Sequence, residues 1–255
     1  MPPAAGLKAR LAAGETTFGT FVGGASGVVA EACAASGVDW LLLDLEHGSG
    51  GEEQLRDVVP SAAAYGVPTL VRAESTERIR IGRILDQGAA GVMLPRVETL
   101  EEVREAGRHL HYPPTGDRGV ATYNRSCGFG LDVAALDRAN DEVLGIIQIE
   151  TLGALNEVEK IAALPGVDVL FVGPRDLSHA LGVPGDTTAP VYREATSRVL
   201  QAATAAGKSA GLLVPDGEVA AKHAADGWRF IAIGSDTTLL AATLVDQLRT
   251  AGGVS

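Results

Sequence analysis

Residues 38–48 read VDWLLLDLEHG, an apolar run that ends abruptly in acids, a histidine and a glycine. A continuous apolar run that stops at a turn predicts a strand buried on both faces, as in a parallel sheet. Charged groups at the carboxyl end of such a strand lie where α/β folds build their sites. The stretch therefore predicts an α/β protein with a functional site at this strand end.

The same pattern recurs in later segments. The apolar residues 68–71, 144–149 and 167–172 lead respectively into Arg72, into Glu150, and into Gly173, Pro174, Arg175 and Asp176. Because the strands of a parallel sheet end at one edge, these polar side chains are expected to face a common space.

Alternating strand and helix patterns cover the chain. Strands are predicted near 18–22, 39–45, 68–72, 90–94, 144–150, 168–172, 209–214 and 229–233. Helices are predicted near 5–13, 25–36, 51–64, 76–87, 98–110, 151–163, 189–206, 216–226 and 235–250. This count predicts an α/β fold consisting of a single (β/α)₈ TIM barrel over residues 1–255. The long irregular connection 111–132 could cross the site or contact another subunit.

Composition narrows the function classes. A formal net charge of -11 argues against nucleic acid and against an anionic membrane surface. An anionic substrate would need local compensation by arginine or a metal ion. Cys33 and Cys127 indicate neither a disulfide framework nor a zinc site. With neither a signal peptide pattern nor a transmembrane-length apolar run, the expected location is the cytoplasm.

Glu150 and Asp176 form a candidate metal pair because they follow neighbouring predicted strands. Two adjacent carboxylates repel each other unless a proton or a cation separates them, and oxygen ligands suit Mg²⁺, Mn²⁺ or a similar divalent ion. The alternative is that the two carboxylates are unrelated and that each caps a local turn.

His47 and Arg72 are candidate catalytic residues. His47 could act as a general base, with Asp44 or Glu46 orienting its imidazole. Arg72 could stabilise a substrate oxygen that gains negative charge, as in an enolate. The alternative for both residues is a structural ion pair with the neighbouring acids.

Other residue types limit the mechanism. The backbone of residues 173–176 could bind a carboxylate at a helix start. Asp86, at a predicted helix end, could accept a hydrogen bond from His47 or from a neighbouring chain. No lysine falls at the carboxyl end of a predicted strand, which argues against a Schiff base. No phosphate-binding loop of the P-loop or dinucleotide type is present.

Taken together, these segments resemble the HpcH/HpaI family of metal-dependent, class II pyruvate aldolases. The similarity lies in DWLLLDLEH (39–47), VR (71–72), GVMLPRVE (91–98), GDRG (116–119), QIET (148–151) and FVGPRDLS (171–178). The resemblance implies a barrel that assembles as a homo-hexamer, a trimer of dimers with swapped terminal helices.

The resemblance also implies residue roles. Glu150 and Asp176 would bind a divalent metal (Mg²⁺, Mn²⁺ or Co²⁺). Arg72 would stabilise the substrate oxygen that gains negative charge, and His47, supported by Asp44, would act as the acid and base. Asp86 would match an acidic residue contributed at a subunit interface. The backbone of Gly173 to Asp176 would bind the pyruvate carboxylate, and Leu212 or Leu213 would lie near the aldehyde. Arg175 and Phe21 depart from the usual family residues, which bears on the choice of substrate. The side chain of Arg175 could add a positive charge near the acceptor and select an anionic aldehyde, or it could simply face solvent.

The expected activity is reversible cleavage of a 4-hydroxy-2-oxo acid to pyruvate and an aldehyde through a metal-stabilised pyruvate enolate. One alternative is a citrate-lyase-β or malyl-CoA-lyase type carbon–carbon lyase, although no basic groove for CoA phosphates is evident. Oxaloacetate decarboxylation and a non-catalytic binding barrel are further alternatives.

Overall fold

The computed structural model describes residues 4–253, so the two ends of the predicted 1–255 domain lie outside the described residues. Eight parallel strands close into a barrel in chain order, as predicted. They are β1 Thr17–Val22, β2 Trp40–Asp44, β3 Thr69–Arg72, β4 Gly91–Leu94, β5 Leu144–Ile149, β6 Val169–Val172, β7 Ser209–Val214 and β8 Phe230–Ser235. The (β/α)₈ TIM-barrel prediction is confirmed.

Helices surround the barrel, and most of them match the predictions. They are α1 Ala4–Ala12, α2 Gly27–Ala35, α3 Leu55–Ala63, α4 Arg78–Asp86, α5 Leu100–His109, α6 Ala135–Glu142, α7 Leu152–Asn156, α8 Val158–Ala162, α9 Pro174–Ala180, α10 Pro190–Ala205, α11 Gly217–Ala225 and α12 Asp236–Thr250. Short 3₁₀ turns lie at Glu52–Gln54 and Arg125–Gly130. Within residues 4–253, no helix is long and apolar enough to cross a membrane.

Two predictions about helices were wrong. The helix predicted over 151–163 is divided at Glu157, whose φ of -109° and ψ of 15° are not helical. Helix α6 was not predicted at all; its sequence, ALDRANDE, is rich in charge and carries a narrow apolar stripe, with Ala135 as its buried residue. Such a weak apolar stripe gives little indication of a helix.

Side chains divide into a cluster inside the barrel and a larger one between the strands and the helices. The inner cluster includes Trp40, Leu42, Leu70, Ile146 and Phe171. Successive strand residues point to opposite faces, so every second residue beyond these also faces the interior. This alternation carries the interior face of the strands up to the carboxyl rim of the barrel.

Aromatic stacking fills the inside of the barrel. The rings of Trp40 and Phe230 lie 3.9 Å apart between centroids and are nearly parallel, and the indole N–H donates to Thr17 Oγ1 at 3.1 Å. A Cβ on Gly19 would lie 2.2 Å from the Trp40 ring. Glycine at this position therefore lets the indole cross the barrel axis.

The loops at the carboxyl rim are held by specific contacts. The carboxylate of Asp236, at the start of α12, accepts hydrogen bonds from the N–H groups of Gly23 and Gly24, each at 2.9 Å. Gly23 O in turn accepts from Ser49 N at 2.8 Å. These bonds tie the loop after β1 to the loop after β2, where the residues of the candidate site begin.

Candidate active site

The alternation of strand residues brings several predicted site residues to one place. Asp44 lies two residues after the interior residue Leu42, and Arg72 lies two residues after the interior residue Leu70, so each lies on the same strand face as its leucine. Asp44 and Arg72 are also direct partners in the β2–β3 register. Both side chains therefore face the interior of the barrel at its carboxyl rim, as the sequence predicted for the polar strand ends.

Asp44 and Arg72 form a buried two-point ion pair. Arg72 Nε donates to Asp44 Oδ1 at 2.9 Å, and Arg72 Nη2 donates to Asp44 Oδ2 at 2.6 Å. Burial alone would raise the pKa of Asp44, but the bonds and the charge of Arg72 outweigh burial and hold that pKa below its usual value. The guanidinium is thus fixed in one orientation, with its remaining N–H groups directed to other acceptors.

Glu46 is a second acid beside Arg72. Its Oε2 lies 3.2 Å from Arg72 Nη1 and 3.8 Å from His47 Nε2. Burial, together with the charges of Asp44 and Asp176, raises the pKa of Glu46 against the opposing effect of Arg72 and His47. Glu46 thus lies between the arginine and the histidine.

The expected contact between Asp44 and the imidazole of His47 does not form. Strand β2 ends at Asp44, and Asp44 Oδ1 accepts the backbone N–H groups of Glu46 at 3.1 Å and His47 at 3.2 Å. This local turn and Arg72 occupy the carboxylate. The acid near the imidazole is instead Glu46, and the His47 side chain is 65% exposed.

Glu150 is a buried carboxylate with an unusual pKa. It is 3% exposed, and its Oε1 accepts from the backbone N–H of Arg96 at 2.8 Å, while its Oε2 accepts from Gln148 Nε2. Burial, followed by the charges of Asp176 and Glu46, raises its pKa from 4.5 to about 7. The hydrogen bond from Arg96 N–H and the charge of Arg72 act in the opposite direction but do not cancel this rise. Burial is thus the main cause of the shift, and the neighbouring acids add to it.

Asp176 lies in the first turn of α9 and its side chain is 45% exposed. Its charge acts on both Glu150 and Glu46, and the Nη1 of Arg96 lies 3.9 Å from its Oδ1. Asp176 and Glu150 are therefore electrostatic neighbours. Within the described part of the chain, no three histidine, cysteine or acidic side chains cluster as a metal site.

Gly173 makes room for Glu150. A Cβ on Gly173 would lie 2.5 Å from Glu150 Oε2 and 2.7 Å from Gln148 Nε2, closer than real Cβ atoms approach. Gly173 is also the residue before α9, and the N–H groups of the first turn have no acceptor within a helix. The amides of Arg175 and Asp176 thus remain candidates for binding a carboxylate.

Other predicted residues fall on different sides of the barrel wall. Leu213 packs against the inner cluster, whereas Leu212 belongs to the outer cluster between strands and helices. Leu213 is therefore the one that faces the site. Arg175 is exposed, and its side chain is directed toward Gly185 in the loop after α9. Its Nη1 lies 3.1 Å from the position that a Cβ on Gly185 would occupy.

Asp86 is not near the His47 of its own chain. It ends α4, and a helix of the barrel returns to the amino-terminal rim, opposite the candidate site. There it accepts a hydrogen bond from the buried Arg118, with Nη2 at 2.8 Å from Asp86 Oδ1. Within one chain, Asp86 is a partner of Arg118.

Sequence reasoning assigned no role to Gln148 and Arg96, which both donate hydrogen bonds to Glu150. Gln148 is the one amide in the otherwise apolar strand β5, and its side chain faces the barrel interior and donates to Glu150, two residues later. Arg96 follows strand β4 just as Arg72 ends β3. Extending the same search to the fourth strand end would have found Arg96, whereas its contact with Glu150, 54 residues away, required the folded structure.

Comparison with known proteins agrees with this geometry. The sequence model of the HpcH/HpaI aldolase/citrate lyase family matches residues 17–243. A hydroxypyruvate/pyruvate aldolase of Paraburkholderia phytofirmans is 39% identical over 90% of this chain and 91% of its own length. A 2-keto-3-deoxy-L-rhamnonate aldolase of Klebsiella pneumoniae is 37% identical over 95% of this chain and 91% of its own.

A solved structure shares the whole fold. It is an HpcH/HpaI aldolase/citrate lyase family protein from Burkholderia cenocepacia, 35% identical, with a TM-score of 0.92 over 97% of this chain and 99% of that chain. The similar curated proteins are named aldolases, which confirms the prediction of a carbon–carbon lyase. The chain belongs to the HpcH/HpaI aldolase/citrate lyase family.

Proposed function

We propose that the chain catalyses the reversible aldol cleavage of a 4-hydroxy-2-oxo acid to pyruvate and an aldehyde. The observation that carries this proposal is the group of acids at the carboxyl rim, where the buried Glu150 and the charges of Glu46 and Asp176 lie close enough to act on one another. Carboxylates gathered in this way fit a cation that chelates a 2-oxo acid.

The donor set fits a hard divalent ion, and we propose Mg²⁺, Mn²⁺ or Co²⁺. Glu150 and Asp176 offer carboxylate oxygens, and Gly173 keeps the space beside Glu150 clear of a side chain. When bound there, the ion would supply Lewis acidity to the oxygens of the 2-oxo acid.

Arg72 is proposed to stabilise the oxygen that gains charge as the C3–C4 bond breaks. Asp44 holds the guanidinium by two hydrogen bonds, so the arginine is oriented before substrate arrives. The ring of Phe21, whose centroid is 5.3 Å from Arg72 Cζ, packs against the same guanidinium. Little reorganisation is then needed when the enolate forms.

His47 is proposed to take the proton from the 4-hydroxyl group and to return it in the reverse reaction. Glu46 Oε2, 3.8 Å from His47 Nε2, is the acid positioned to orient the imidazole. Leu213 would line the space for the aldehyde, since it faces the barrel interior.

The proposed assembly is a homo-hexamer. Helix α12 exposes Leu240, Leu244 and Leu248 at 64%, 53% and 49%, an apolar stripe that a second copy would cover. Asp86 lies at the rim opposite its own His47, so it would reach a histidine only in another copy. Light scattering after gel filtration measures the mass, and a monomer at micromolar concentration would contradict this assembly.

Proton exchange tests the proposed chemistry directly. In D₂O with divalent metal, the enzyme is expected to replace the methyl protons of pyruvate by deuterium, followed by NMR. Chelation of the metal, Glu150→Gln and Arg72→Met should each reduce the exchange rate by at least about a hundredfold, the scale of losing one electrostatic stabiliser. Arg104→Met changes an exposed arginine on α5 and serves as the control. Undiminished exchange in metal-free protein would refute the mechanism.

A further inference from the structure

Arg96 contacts both candidate metal ligands by two different groups. Its backbone N–H donates to Glu150 Oε1 at 2.8 Å, and its Nη1 lies 3.9 Å from Asp176 Oδ1. The side chain is 64% exposed, so it stands at the open mouth of the site. Arg96 is therefore close enough to meet a molecule that enters.

The backbone of Arg96 gives no reason for a long cationic side chain. Its φ of 52° lies in the left-handed region, which is unfavourable for any residue with a Cβ. A glycine would present the same N–H to Glu150 without that strain. The side chain at this position therefore needs an explanation of its own.

The contact with Asp176 does not occupy the guanidinium. A distance of 3.9 Å exceeds hydrogen-bond length, and Asp176 is the one acid in salt-bridge range of Arg96 among residues 4–253. If Asp176 holds the proposed cation, the negative charge of its carboxylate would be offset and its attraction for Arg96 would weaken. The planar N–H fork of Arg96 then remains available, and such a fork matches a carboxylate by two parallel hydrogen bonds.

The electrostatics of the mouth favour this use of Arg96. Asp176 is 45% exposed beside Arg96, its charge acts on Glu46, and the whole chain carries a net charge of -11. An anionic aldehyde would be repelled unless a local cation compensated for these acids. Arg72 pairs with Asp44 and is assigned to the enolate oxygen in the proposed function, and the guanidinium of Arg175 is directed toward Gly185. Arg96 is the arginine placed to receive a second anionic group.

We propose that Arg96 determines the choice of aldehyde, and that it binds the carboxylate of an aldehyde that carries a second acid group. The full substrate would then be a dicarboxylic 4-hydroxy-2-oxo acid. This inference rests on the proposed function, because it assumes an aldol reaction at Glu150, Asp176 and Arg72. Arg96 takes the role of anion-selecting residue that the sequence alone suggested for Arg175.

The test compares two acceptors of equal chain length with pyruvate and Mg²⁺ or Mn²⁺. The acceptors are succinic semialdehyde, which has a carboxylate, and its neutral methyl ester. The wild-type kcat/KM is expected to favour the acid by at least about tenfold. Arg96→Met should lower the acid-to-ester ratio about thirtyfold, the size of a hydrogen-bonded charge pair. Arg96→Lys keeps the charge without the fork and should give an intermediate ratio.

Controls separate failure of this inference from failure of the proposed function. Arg104→Met, on the outer face of α5, should keep the wild-type ratio. Deuterium exchange into pyruvate by the wild type reports the aldolase chemistry alone, and its absence would refute the proposed function. Normal exchange together with an acid-to-ester ratio that Arg96→Met leaves unchanged would overturn the role of Arg96.

Discussion

Replacing the buried carboxylate of Glu150 by its neutral isostere, Glu150→Gln, should stabilise the metal-free protein at alkaline pH. Burial, Asp176 and Glu46 raise the pKa of Glu150 from 4.5 to about 7. Above that pH, ionising the buried group costs about 3 kcal/mol of folding free energy, at 1.36 kcal/mol per pKa unit. Glutamine does not ionise, so the variant avoids this cost.

The local hydrogen bonds permit the substitution. Glutamine Oε1 can keep the bond from Arg96 N that Glu150 Oε1 now accepts at 2.8 Å. Its new amide N–H group would face Gln148 Nε2, another donor. Gln148 Oε1 has no hydrogen-bond partner, so a flip of that amide would provide the acceptor.

The sign of the effect follows from proton linkage. Between pH 4.5 and 7 the folded wild type binds more protons at Glu150 than the unfolded chain does. Wild-type stability therefore falls as pH rises through this range and stays low above it. The advantage of Glu150→Gln should be near zero at pH 4.5 and reach about 3 kcal/mol at pH 8.

Urea unfolding of chelated protein measures this difference, with the fluorescence of the buried Trp40 and Trp228 as the probe. Protein concentration is held constant because association adds to apparent stability. The control is Glu105→Gln, at an exposed position on α5, which should change stability by no more than about 0.5 kcal/mol at either pH. A Glu150→Gln variant that is less stable at pH 8, or a difference independent of pH, would refute the reasoning.

Three more predictions concern metal binding at Glu150 and the packing of two glycines. Protons compete with metal for Glu150, so calorimetry should show metal affinity about tenfold weaker at pH 6 than at pH 8; a constant affinity would contradict its pKa of about 7. Gly173→Ala should weaken metal binding at least about tenfold, because its Cβ would lie 2.5 Å from Glu150 Oε2; unchanged affinity would exclude this crowding. Gly19→Ala should destabilise the fold by about 1–3 kcal/mol, because its Cβ would lie 2.2 Å from the Trp40 ring, and wild-type unfolding in urea would argue against it.

The sequence determined which strand positions bear chemistry. Apolar runs mark buried strands, and alternation along a strand is a local property, so Asp44, Arg72 and Glu150 could be assigned to the carboxyl rim of the barrel without coordinates. The eight-strand count likewise predicted closure. Family resemblance then supplied expectations for Asp86 and Leu213 that alternation alone does not give.

The tertiary structure decided which of these groups touch. Asp44 pairs with Arg72, 28 residues away, rather than with the imidazole of His47, because barrel closure sets the register and the turn after β2 uses the same carboxylate. Arg96 meets Glu150 across 54 residues for a similar reason. Local sequence fixes the direction of a side chain within its own strand, whereas contacts between strands depend on how all eight strands pack around one interior.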